Sequence, residues 1–310
     1  MKILLWTDLK QPYQDEFIRQ LPEDSEIMLK SERSDADVAK ALDDADVLVG
    51  NPPVEIMEEY GKNLKFWQLE NVGFEQYKDL DFKGKVANIG DMSAAPCAET
   101  IVAGVLAFYR GVHSMVKNQL EAKWVGEQIE EQMSVLGEKQ VILLGSGAIA
   151  VHVCKFLEAF GCSVQMTAKS DPKADIHSYE ELLKSLPEID LVINTLPGNL
   201  DKYVGGDFFE AMKEGALYAN IGRGNTTDEA ALIDALESGK LIGAVLDVTE
   251  TEPLPHDSKL WKMGNVLLTQ HTGAAHKVRD RDKAVKFTEN INEFIKTGKV
   301  KDEIQLSDGY

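Results

Sequence analysis

The sequence predicts an α/β protein with two doubly wound parallel-sheet domains, and three observations carry that prediction. Short apolar runs alternate with polar, helically spaced stretches along nearly the whole chain, which is typical of parallel sheets whose strands are joined by helices. A glycine-rich turn in the middle of the chain, Gly145–Ala150, separates an apolar run from a helical stretch. The chain has 310 residues, more than one ordinary small domain needs, so we expect two domains.

The N-terminal third of the chain carries apolar runs that predict the strands of a first parallel sheet. These runs are Ile3–Trp6, Ile27–Leu29, Val47–Val49, Phe66–Leu69 and Val86–Ile89. Ligands of open parallel sheets bind outside the carboxyl ends of the strands. The loop with Val72 and Gly73 follows the fourth run and is therefore a candidate binding segment. Next, a largely apolar helix is predicted to begin at Pro96 and to end near Arg110 and Gly111, buried between the two domains.

The glycine-rich turn predicts a dinucleotide site of the Rossmann type. The apolar run Val141–Leu144 predicts a buried strand, and helical spacing begins directly after Gly147. One glycine permits the tight turn, and the next lets the backbone approach a pyrophosphate at the helix N-terminus. Ala150 holds the third position, a size that this fingerprint tolerates. The alternative is a glycine turn of any α/β protein. The predicted cofactor contacts at this turn are Gly145, Gly147, Ala148 and Ile149.

The rest of the chain continues the same alternation of strands and helices. Thr226 and Glu229 have capping-box spacing for a helix that ends at Gly239. A last helix is predicted from about Ala275 to Lys296. The predicted strands are Ser163–Ala168, a strand from Leu191 that ends in a turn at Pro197, Ala216–Ile221, Leu241–Val248 and Val266–Thr269.

Composition argues against several classes of function. The net charge of −19, from 52 acidic and 33 basic residues, disfavours nucleic acid or an anionic membrane as the main partner. No apolar run approaches the length that spans a bilayer, and the N-terminus is too short and too soon acidic for a signal peptide. Cys97, Cys154 and Cys162 form no CxxC pair and leave one cysteine over, so we expect a cytoplasmic location. We expect no metal site.

Three side chains at or just beyond predicted strand ends suggest chemistry: Arg223, Glu252 and His271. Each alone has a simpler explanation, as a surface arginine, a solvated loop acid or a structural histidine. Their shared location on the cofactor edge of one sheet favours a catalytic role over these explanations. A guanidinium holds a carboxylate through two parallel hydrogen bonds. An imidazole exchanges a proton near neutral pH, and a neighbouring carboxylate fixes its tautomer and favours its protonated form. Beside a hydride carrier, this set suits the interconversion of 2-keto and 2-hydroxy acids.

At these residues the chain resembles the D-isomer-specific 2-hydroxyacid dehydrogenase family, most densely from Leu136 to Ala275. The segment Asn220–Gly224 resembles the one that carries the substrate-binding arginine. Leu246–Val248 followed by Glu252–Pro255 resembles the segment with the nicotinamide-contacting aspartate and the catalytic glutamate, and Thr269–His271 resembles the catalytic histidine segment. Two departures are Gln270, where the family usually has proline, and Glu75, where it often has aspartate. Further matches are Gly73, Ala98-Glu99 and Thr195-Leu196-Pro197.

The resemblance implies an NAD(P)-dependent enzyme with Arg223, Glu252 and His271 as catalytic residues. It implies a flavodoxin-like substrate domain, residues 1–92 plus 277–310, with a Rossmann-type nucleotide domain, 93–276, inserted in it. It also implies a homodimer. Val72 and Gly73 join Arg223 and His271 as the expected substrate contacts. The cofactor contacts implied outside the glycine turn are Thr195, Leu196, Pro197, Ile221 and Asp247.

The second strand of the nucleotide domain bears on which nicotinamide cofactor is used. NAD enzymes usually place an acid at its end to bind the ribose 2′-hydroxyl, and Ala168 holds that position here. Lys169, Ser170 and Lys173 are suited to a 2′-phosphate, so NADP(H) is favoured. The alternative is that the lysines are ordinary surface residues, that Asp171 binds the ribose, and that NAD is the cofactor.

Two rival functions remain open on the same scaffold. A non-catalytic, dinucleotide-sensing protein like a corepressor has no need of a proton donor, and the complete set of Arg223, Glu252 and His271 counts against it. A dehydrogenase for a phosphorylated hydroxy acid needs more cations near Asn51–Val54 or Gly73 than Lys62 and Lys65 supply. Glu252 also disfavours a formate dehydrogenase, because formate enzymes of the family have glutamine in place of the catalytic glutamate. We therefore expect a reductase for a small, unphosphorylated 2-keto acid of the glyoxylate or hydroxypyruvate type.

Overall fold

The computed structural model describes residues 1–309, which form two compact units. The first, the outer unit, comprises Met1–Ser93 and the segment from His276 onward, and the second, the central unit, comprises Ala94–Ala275. Each unit is built on a six-stranded, largely parallel sheet with helices between its strands. The predicted fold class, two parallel-sheet α/β domains, is confirmed.

The N-terminal part of the outer unit supplies five parallel strands and three helices. Every strand from the middle of this sheet is buried on both faces, with Leu4, Leu48 and Trp67 on one side and Ile3, Val47 and Phe66 on the other. Double burial explains the short continuous apolar runs in the sequence. The elements are β1 (Lys2–Leu5), α1 (Gln11–Gln20), β2 (Glu26–Leu29), α2 (Asp35–Asp43), β3 (Val47–Val49), α3 (Val54–Tyr60), β4 (Phe66–Gln68) and β5 (Lys85–Ala87).

The central unit begins with two helices where the sequence predicted one. The apolar helix starts two residues before Pro96 and ends at Tyr109, and a second helix follows the left-handed Gly111 (φ 65°). Glycine adopts this conformation without the Cβ clash that other residues meet, which allows the chain to turn there. The two helices are α4 (Ala94–Tyr109) and α5 (Val112–Leu120).

The sheet of the central unit is entirely parallel and has the order β7-β6-β8-β9-β10-β11. The strand order changes direction at β6, so the loops after β6 and β8 flank the crevice where dinucleotides bind in such sheets. The elements are β6 (Gln140–Leu144), α6 (Ala148–Ala159), β7 (Ser163–Thr167), α7 (Tyr179–Ser185), β8 (Leu191–Asn194), α8 (Gly206–Ala211), β9 (Ala216–Asn220), α9 (Glu229–Glu237), β10 (Leu241–Leu246) and β11 (Val266–Leu268).

The capping box predicted for α9 is wrong. Asp228 is the N-cap residue, and its side chain accepts a hydrogen bond from Ala231 N at 3.1 Å. Thr226 is fully buried in the turn before the helix. Its hydroxyl donates to the Arg223 carbonyl at 2.6 Å and therefore does not cap the helix.

The C-terminal segment returns to the outer unit and completes its sheet. Helix α10 (Arg279–Thr297) packs Phe287 and Ile291 into the face that holds Ile3 and Val47. Strand β12 (Glu303–Ile304) pairs antiparallel with β5 at the sheet edge. The resulting order is β12-β5-β4-β3-β1-β2.

Candidate active site

The glycine-rich turn has the geometry that a pyrophosphate requires. Gly145 has φ 105°, and a Cβ on it would lie 2.8 Å from Thr195 Oγ1, so a larger residue would not fit. A Cβ on Gly147 would meet no protein atom within 4 Å, which leaves this side of the turn open. Helix α6 begins at Ala148 and runs for 12 residues, so its first N–H groups face that opening. Ala150 is fully buried in the packing of this helix. The open side of the turn and the N–H groups at the helix N-terminus together fit a dinucleotide.

The loop after β8 lies against this turn. Thr195 Oγ1 donates to Leu144 O at 2.8 Å, and Asn194 Oδ1 accepts from Leu196 N at 2.9 Å. Leu196 is buried and Pro197 is half-buried. These bonds hold Thr195, Leu196 and Pro197, the predicted adenosine-side contacts, next to Gly145.

The loop after β7 presents exposed cations and one acid. Lys169, Ser170 and Lys173 are exposed, as a 2′-phosphate site requires. The Asp171 carboxylate accepts from Lys173 N at 3.0 Å and from the hydroxyl of Ser146, in the glycine-rich turn. These two hydrogen bonds lower the pKa of Asp171 below its usual range. The structure thus brings the rival acid, Asp171, to the turn, while the two lysines are exposed on the same loop.

Arg223 lies on a loop in which two glycines allow close packing against neighbouring loops. A Cβ on Gly222 would lie 2.5 Å from Leu196 O, and a Cβ on Gly224 would lie 1.8 Å from Thr249 O. The guanidinium is half-buried, and its Nη1 donates to Gly222 O at 3.1 Å. The arginine loop is therefore packed between the cofactor loop after β8 and the loop after β10.

Glu252 and His271 form the pair that the sequence predicted. His271 Nδ1 lies 2.6 Å from Glu252 Oε2, and since an ionised carboxylate only accepts, the ring nitrogen donates. Glu252 Oε1 accepts from Thr249 N at 3.0 Å, which fixes the carboxylate against its own loop. The pair is half-exposed, with 53% of the His271 side chain accessible. This arrangement leaves Nε2 as the nitrogen that can exchange a proton with a bound substrate.

Asp247 holds the loop on which His271 lies. Its buried carboxylate accepts from Thr269 Oγ1 at 2.5 Å, from Thr272 N at 3.0 Å and from Gly273 N at 3.0 Å. Its carbonyl accepts from His271 N at 2.5 Å. Ile221, a further predicted cofactor contact, is buried, and a Cβ on Gly273 would lie 2.5 Å from its Cδ1. Asp247 thus positions the histidine loop, a role that the sequence did not reveal.

The backbone of the histidine loop explains the departure from the usual proline. Gln270 has φ 57° and His271 has φ 53°, both in the left-handed region. Proline is restricted to φ near −65°, so it cannot adopt the left-handed conformation at position 270. Two consecutive left-handed residues without glycine are strained, and the bonds to Asp247 on both sides keep them in place.

The predicted substrate loop belongs to the outer unit and is held from both ends. The Val72 carbonyl accepts from Asn88 Nδ2 at 3.1 Å. Upstream, Glu70 Oε2 accepts from Thr7 Oγ1 at 2.6 Å and from Lys283 Nζ at 2.8 Å. Burial raises the pKa of the Glu70 carboxyl, but these hydrogen bonds and nearby positive charges outweigh it, and the pKa lies below its usual range. Hydrogen bonds at Glu70 and Val72 therefore hold the start of the predicted substrate loop.

Within residues 1–309, no helix is both long and apolar enough to cross a bilayer. The same part of the chain contains no group of three or more His, Cys, Asp or Glu side chains that is arranged to hold a metal ion.

The carboxyl edge of the central sheet therefore carries groups suited to three tasks. The glycine-rich turn can hold a dinucleotide, Arg223 can bind a carboxylate, and the His271–Glu252 pair can transfer a proton. Asn220, Leu246 and Leu268 lie side by side in register across β9, β10 and β11. The loops with Arg223, Glu252 and His271 start from these neighbouring positions.

Comparison with known proteins places this arrangement in a family. The family model for the NAD-binding domain of D-isomer-specific 2-hydroxyacid dehydrogenases matches residues 102–273, more than half of the chain. A hydroxypyruvate reductase of Thermotoga maritima is 30% identical over 298 residues, which cover 91% of this chain and 96% of that protein.

Solved structures agree with the fold. A D-isomer-specific 2-hydroxyacid dehydrogenase family protein of Aeromonas salmonicida is 25% identical, with a TM-score of 0.84 over 98% of this chain and 99% of that one. A family member from Xanthobacter autotrophicus, solved with NADPH and MES, has a TM-score of 0.83 at 23% identity over 100% of this chain and 99% of that one. Since the family model, the relative and the site geometry all agree, the chain belongs to the D-isomer-specific 2-hydroxyacid dehydrogenase family and is an enzyme of that class.

Proposed function

We propose that the enzyme reduces a small, unphosphorylated 2-keto acid of the glyoxylate or hydroxypyruvate type, with NADPH as the favoured cofactor. The observation that carries the proposal is the 2.6 Å hydrogen bond from His271 Nδ1 to Glu252 on a loop fixed by Asp247. A binding protein gains nothing from a histidine held in this way, whereas a reductase needs a proton donor. This favours a reductase over the dinucleotide sensor.

The proposed mechanism assigns each side chain a separate task. A nicotinamide cofactor, which the turn with Gly145 and Gly147 would hold, would supply the hydride for the keto carbon. Arg223 binds the substrate carboxylate and so orients the keto group. His271 Nε2 donates a proton to the carbonyl oxygen as negative charge develops there, and Glu252 stabilises the protonated imidazole. We also propose Val72 and Gly73 as substrate contacts.

The proposed preference for NADPH rests on the loop after β7. Ala168 supplies no acid to bind a ribose hydroxyl, and Lys169, Ser170 and Lys173 are exposed there. Asp171, the residue that would favour NAD, already accepts hydrogen bonds from Ser146 and Lys173 N. Its ionised carboxylate still weakens the preference, so NADH is expected to be used as the poorer cofactor.

The substrate range follows from the cations near the candidate site. Arg223 matches a single carboxylate, and the loops Asn51–Val54 and Val72–Gly73 contain no lysine or arginine that would bind a phosphate. The Thermotoga maritima relative is named a hydroxypyruvate reductase, which agrees with a small substrate.

The purified enzyme should be assayed with NADPH and with NADH against a panel of 2-keto acids. We expect turnover of glyoxylate or hydroxypyruvate and a higher kcat/KM with NADPH. If NADPH binds but no 2-keto acid is reduced, the sensor is the better description. If only a phosphorylated acid is turned over, the substrate class is wrong.

We also propose a homodimer located in the cytoplasm. The face of α5 and the loop beyond it expose apolar side chains, among them Leu120 at 82% and Trp124 at 96%. Such a patch on the nucleotide-binding unit suits contact with a second copy, since two-fold pairs are the commonest oligomers. Light scattering at micromolar concentration should give twice the chain mass, and the mass of a monomer would contradict the proposal.

A further inference from the structure

A group of polar side chains lies buried beneath the loop of Arg223, and the proposed reaction assigns it no task. Its members are at most 5% exposed. Burying polar groups is unfavourable unless they are hydrogen-bonded, so a concentration of them in a core needs an explanation. We call this group the buried network, and it consists of Asn194, Tyr218, Asn220, Thr226 and Thr227.

Hydrogen bonds connect all members of the buried network. Asn194 Nδ2 donates to Tyr218 Oη at 2.9 Å and to Thr226 Oγ1 at 2.9 Å. Tyr218 Oη and Thr227 Oγ1 share a hydrogen bond of 2.6 Å, in which either hydroxyl can donate. Burial raises the pKa of Tyr218, which keeps its hydroxyl group protonated. Asn220 Nδ2 also donates to Thr227 Oγ1, at 3.1 Å.

One end of the buried network holds the backbone around Arg223. Thr226 Oγ1 donates to the Arg223 carbonyl at 2.6 Å, and Asn220 Nδ2 donates to the same oxygen at 3.2 Å. Asn220 Oδ1 accepts from Gly222 N at 2.9 Å. Buried side chains therefore hold the Arg223 carbonyl and the backbone N–H of the preceding residue, Gly222.

The other end holds the cofactor loop. Asn194 Oδ1 accepts from Leu196 N at 2.9 Å, while the amide nitrogen of the same side chain enters the network. The two loops also touch directly, because Gly222 lies against Leu196 with no room for a Cβ. A continuous set of hydrogen bonds thus joins Leu196 to Arg223.

We propose that the buried network is a positioning device, which sets the backbone of Arg223 in a fixed register with the cofactor loop. The inference rests on the proposed function, in which Arg223 binds the substrate carboxylate. Apolar side chains of the same shape would fill the same volume but give the Arg223 carbonyl fewer partners. Orientation matters here, since a misplacement of about 1 Å in an active site costs about 100-fold in rate.

Two substitutions at Thr226 test the proposal. Thr226→Val removes the hydroxyl and keeps the shape, whereas Thr226→Ser keeps the hydroxyl. We expect Thr226→Val to lower kcat/KM for the keto acid about 10-fold, the effect of one buried hydrogen bond, and Thr226→Ser to stay within about 2-fold of wild type. The NADPH Kd, measured by fluorescence titration, should change less than about 2-fold in both variants. Tyr218→Phe should act in the same direction as Thr226→Val.

Tyr109→Phe is the matched control. Tyr109 is 3% exposed in the same unit, and its hydroxyl donates to Asp190 O at 3.1 Å. It loses one buried hydroxyl but none of the bonds around Arg223, so stability should fall while kcat/KM stays at the wild-type value. If Thr226→Val and Tyr218→Phe behave like this control, the network is only structural and the proposal is wrong.

A double-mutant cycle adds a second test. In an Arg223→Ala background the network has no guanidinium to position, so Thr226→Val should have no further effect on kcat/KM. A full additional 10-fold loss in that background would contradict the proposal.

Crystal structures of the Thr226 variants test the positioning without any substrate. We expect the Arg223 side chain to be displaced, by less than about 1 Å, in Thr226→Val and to stay in place in Thr226→Ser. An unmoved Arg223 in Thr226→Val would overturn the inference. By contrast, a wild-type enzyme that reduces no 2-keto acid would overturn the proposed function, and the crystallographic comparison would still decide the positioning.

Discussion

Two loops at the carboxyl edge of the central sheet, the loop of Arg223 and the loop of Lys169, are held in different ways. The Arg223 carbonyl takes hydrogen bonds from two buried side chains, Thr226 and Asn220. Around Lys169 the side chains are exposed, and the acid of that loop, Asp171, accepts from Lys173 N and the Ser146 hydroxyl. One loop is fixed from inside the protein and the other is fixed at its surface.

The two loops should therefore respond differently to substitution. Buried hydrogen bonds are worth more in a low dielectric and act as a set, so the chemical groups should respond to change strongly and non-additively. Exposed charges act one at a time, so the effects of single changes on cofactor choice should be additive. The following predictions test this contrast.

The largest effect is expected at Arg223. Arg223→Ala would remove the two charge-assisted hydrogen bonds that we propose to the substrate carboxylate, so kcat/KM for the keto acid should fall about 10²- to 10⁴-fold, through a higher KM and a lower kcat. Arg110→Ala is the control, since Arg110 is an exposed arginine of the same unit whose Nη1 donates only a long bond, 3.4 Å, to Ser134 O. Steady-state kinetics measure both, and equal losses in the two variants would refute the assignment.

A smaller effect is expected at Lys169. Lys169→Ala should weaken NADPH about 10- to 150-fold, the value of one charge-assisted hydrogen bond to the 2′-phosphate, and leave NADH nearly unchanged. Lys184→Ala, which removes an exposed lysine paired with Glu180, should affect neither cofactor. Fluorescence titration with both nucleotides measures the affinities. An equal loss for NADH would mean that Lys169 does not face the 2′-phosphate.

Glu252→Gln tests the proton donor with a milder change. Glutamine keeps a hydrogen bond to His271 but removes the negative charge, and a neutral hydrogen bond is about half as strong as a charge-assisted one. We expect kcat to fall about 10-fold with little change in the NADPH Kd. Glu250→Gln is the control, because Glu250 lies on the same loop but pairs with Lys202. If kcat responds equally to both changes, the Glu252–His271 pairing has no special role.

The smallest effect is expected at Asp171. The hydrogen bonds that lower its pKa keep the carboxylate ionised from well below neutrality upward. Asp171→Asn should therefore tighten NADPH about 2- to 5-fold, with the same ratio to wild type from pH 6 to pH 8. Affinities measured across that range check the prediction. A strong loss of NADH binding instead would identify Asp171 as the ribose ligand of an NAD enzyme.

The sequence predicted the parts of the molecule whose signals are local. Strands buried on both faces give continuous apolar runs, and β3 was placed at its observed bounds, Val47–Val49. The glycine-rich turn followed from its spacing. Glu252 and His271 were predicted as a pair because they follow neighbouring strands of one sheet edge.

Other features depend on contacts that one-dimensional patterns do not contain. Thr226 had the spacing of a helix cap, and only the fold shows that its hydroxyl serves the Arg223 carbonyl. Tyr218 lies in an apolar strand, where nothing in the periodicity marks a buried hydroxyl with polar partners. The left-handed Gln270 depends on Asp247, which is distant in sequence. Strand β12 has two residues and exists only through its pairing with β5.

The central claim, that His271 donates the proton in a reductase, is tested most directly by His271→Ala. Single-turnover reduction of the keto acid by enzyme saturated with NADPH should slow by about 10²- to 10⁴-fold, the usual contribution of a general acid. The NADPH Kd should stay within about 2-fold of wild type, and His256→Ala, a change at an exposed histidine between β10 and β11, should turn over normally. A His271→Ala enzyme that keeps most of its single-turnover rate would show that the proton comes from another group.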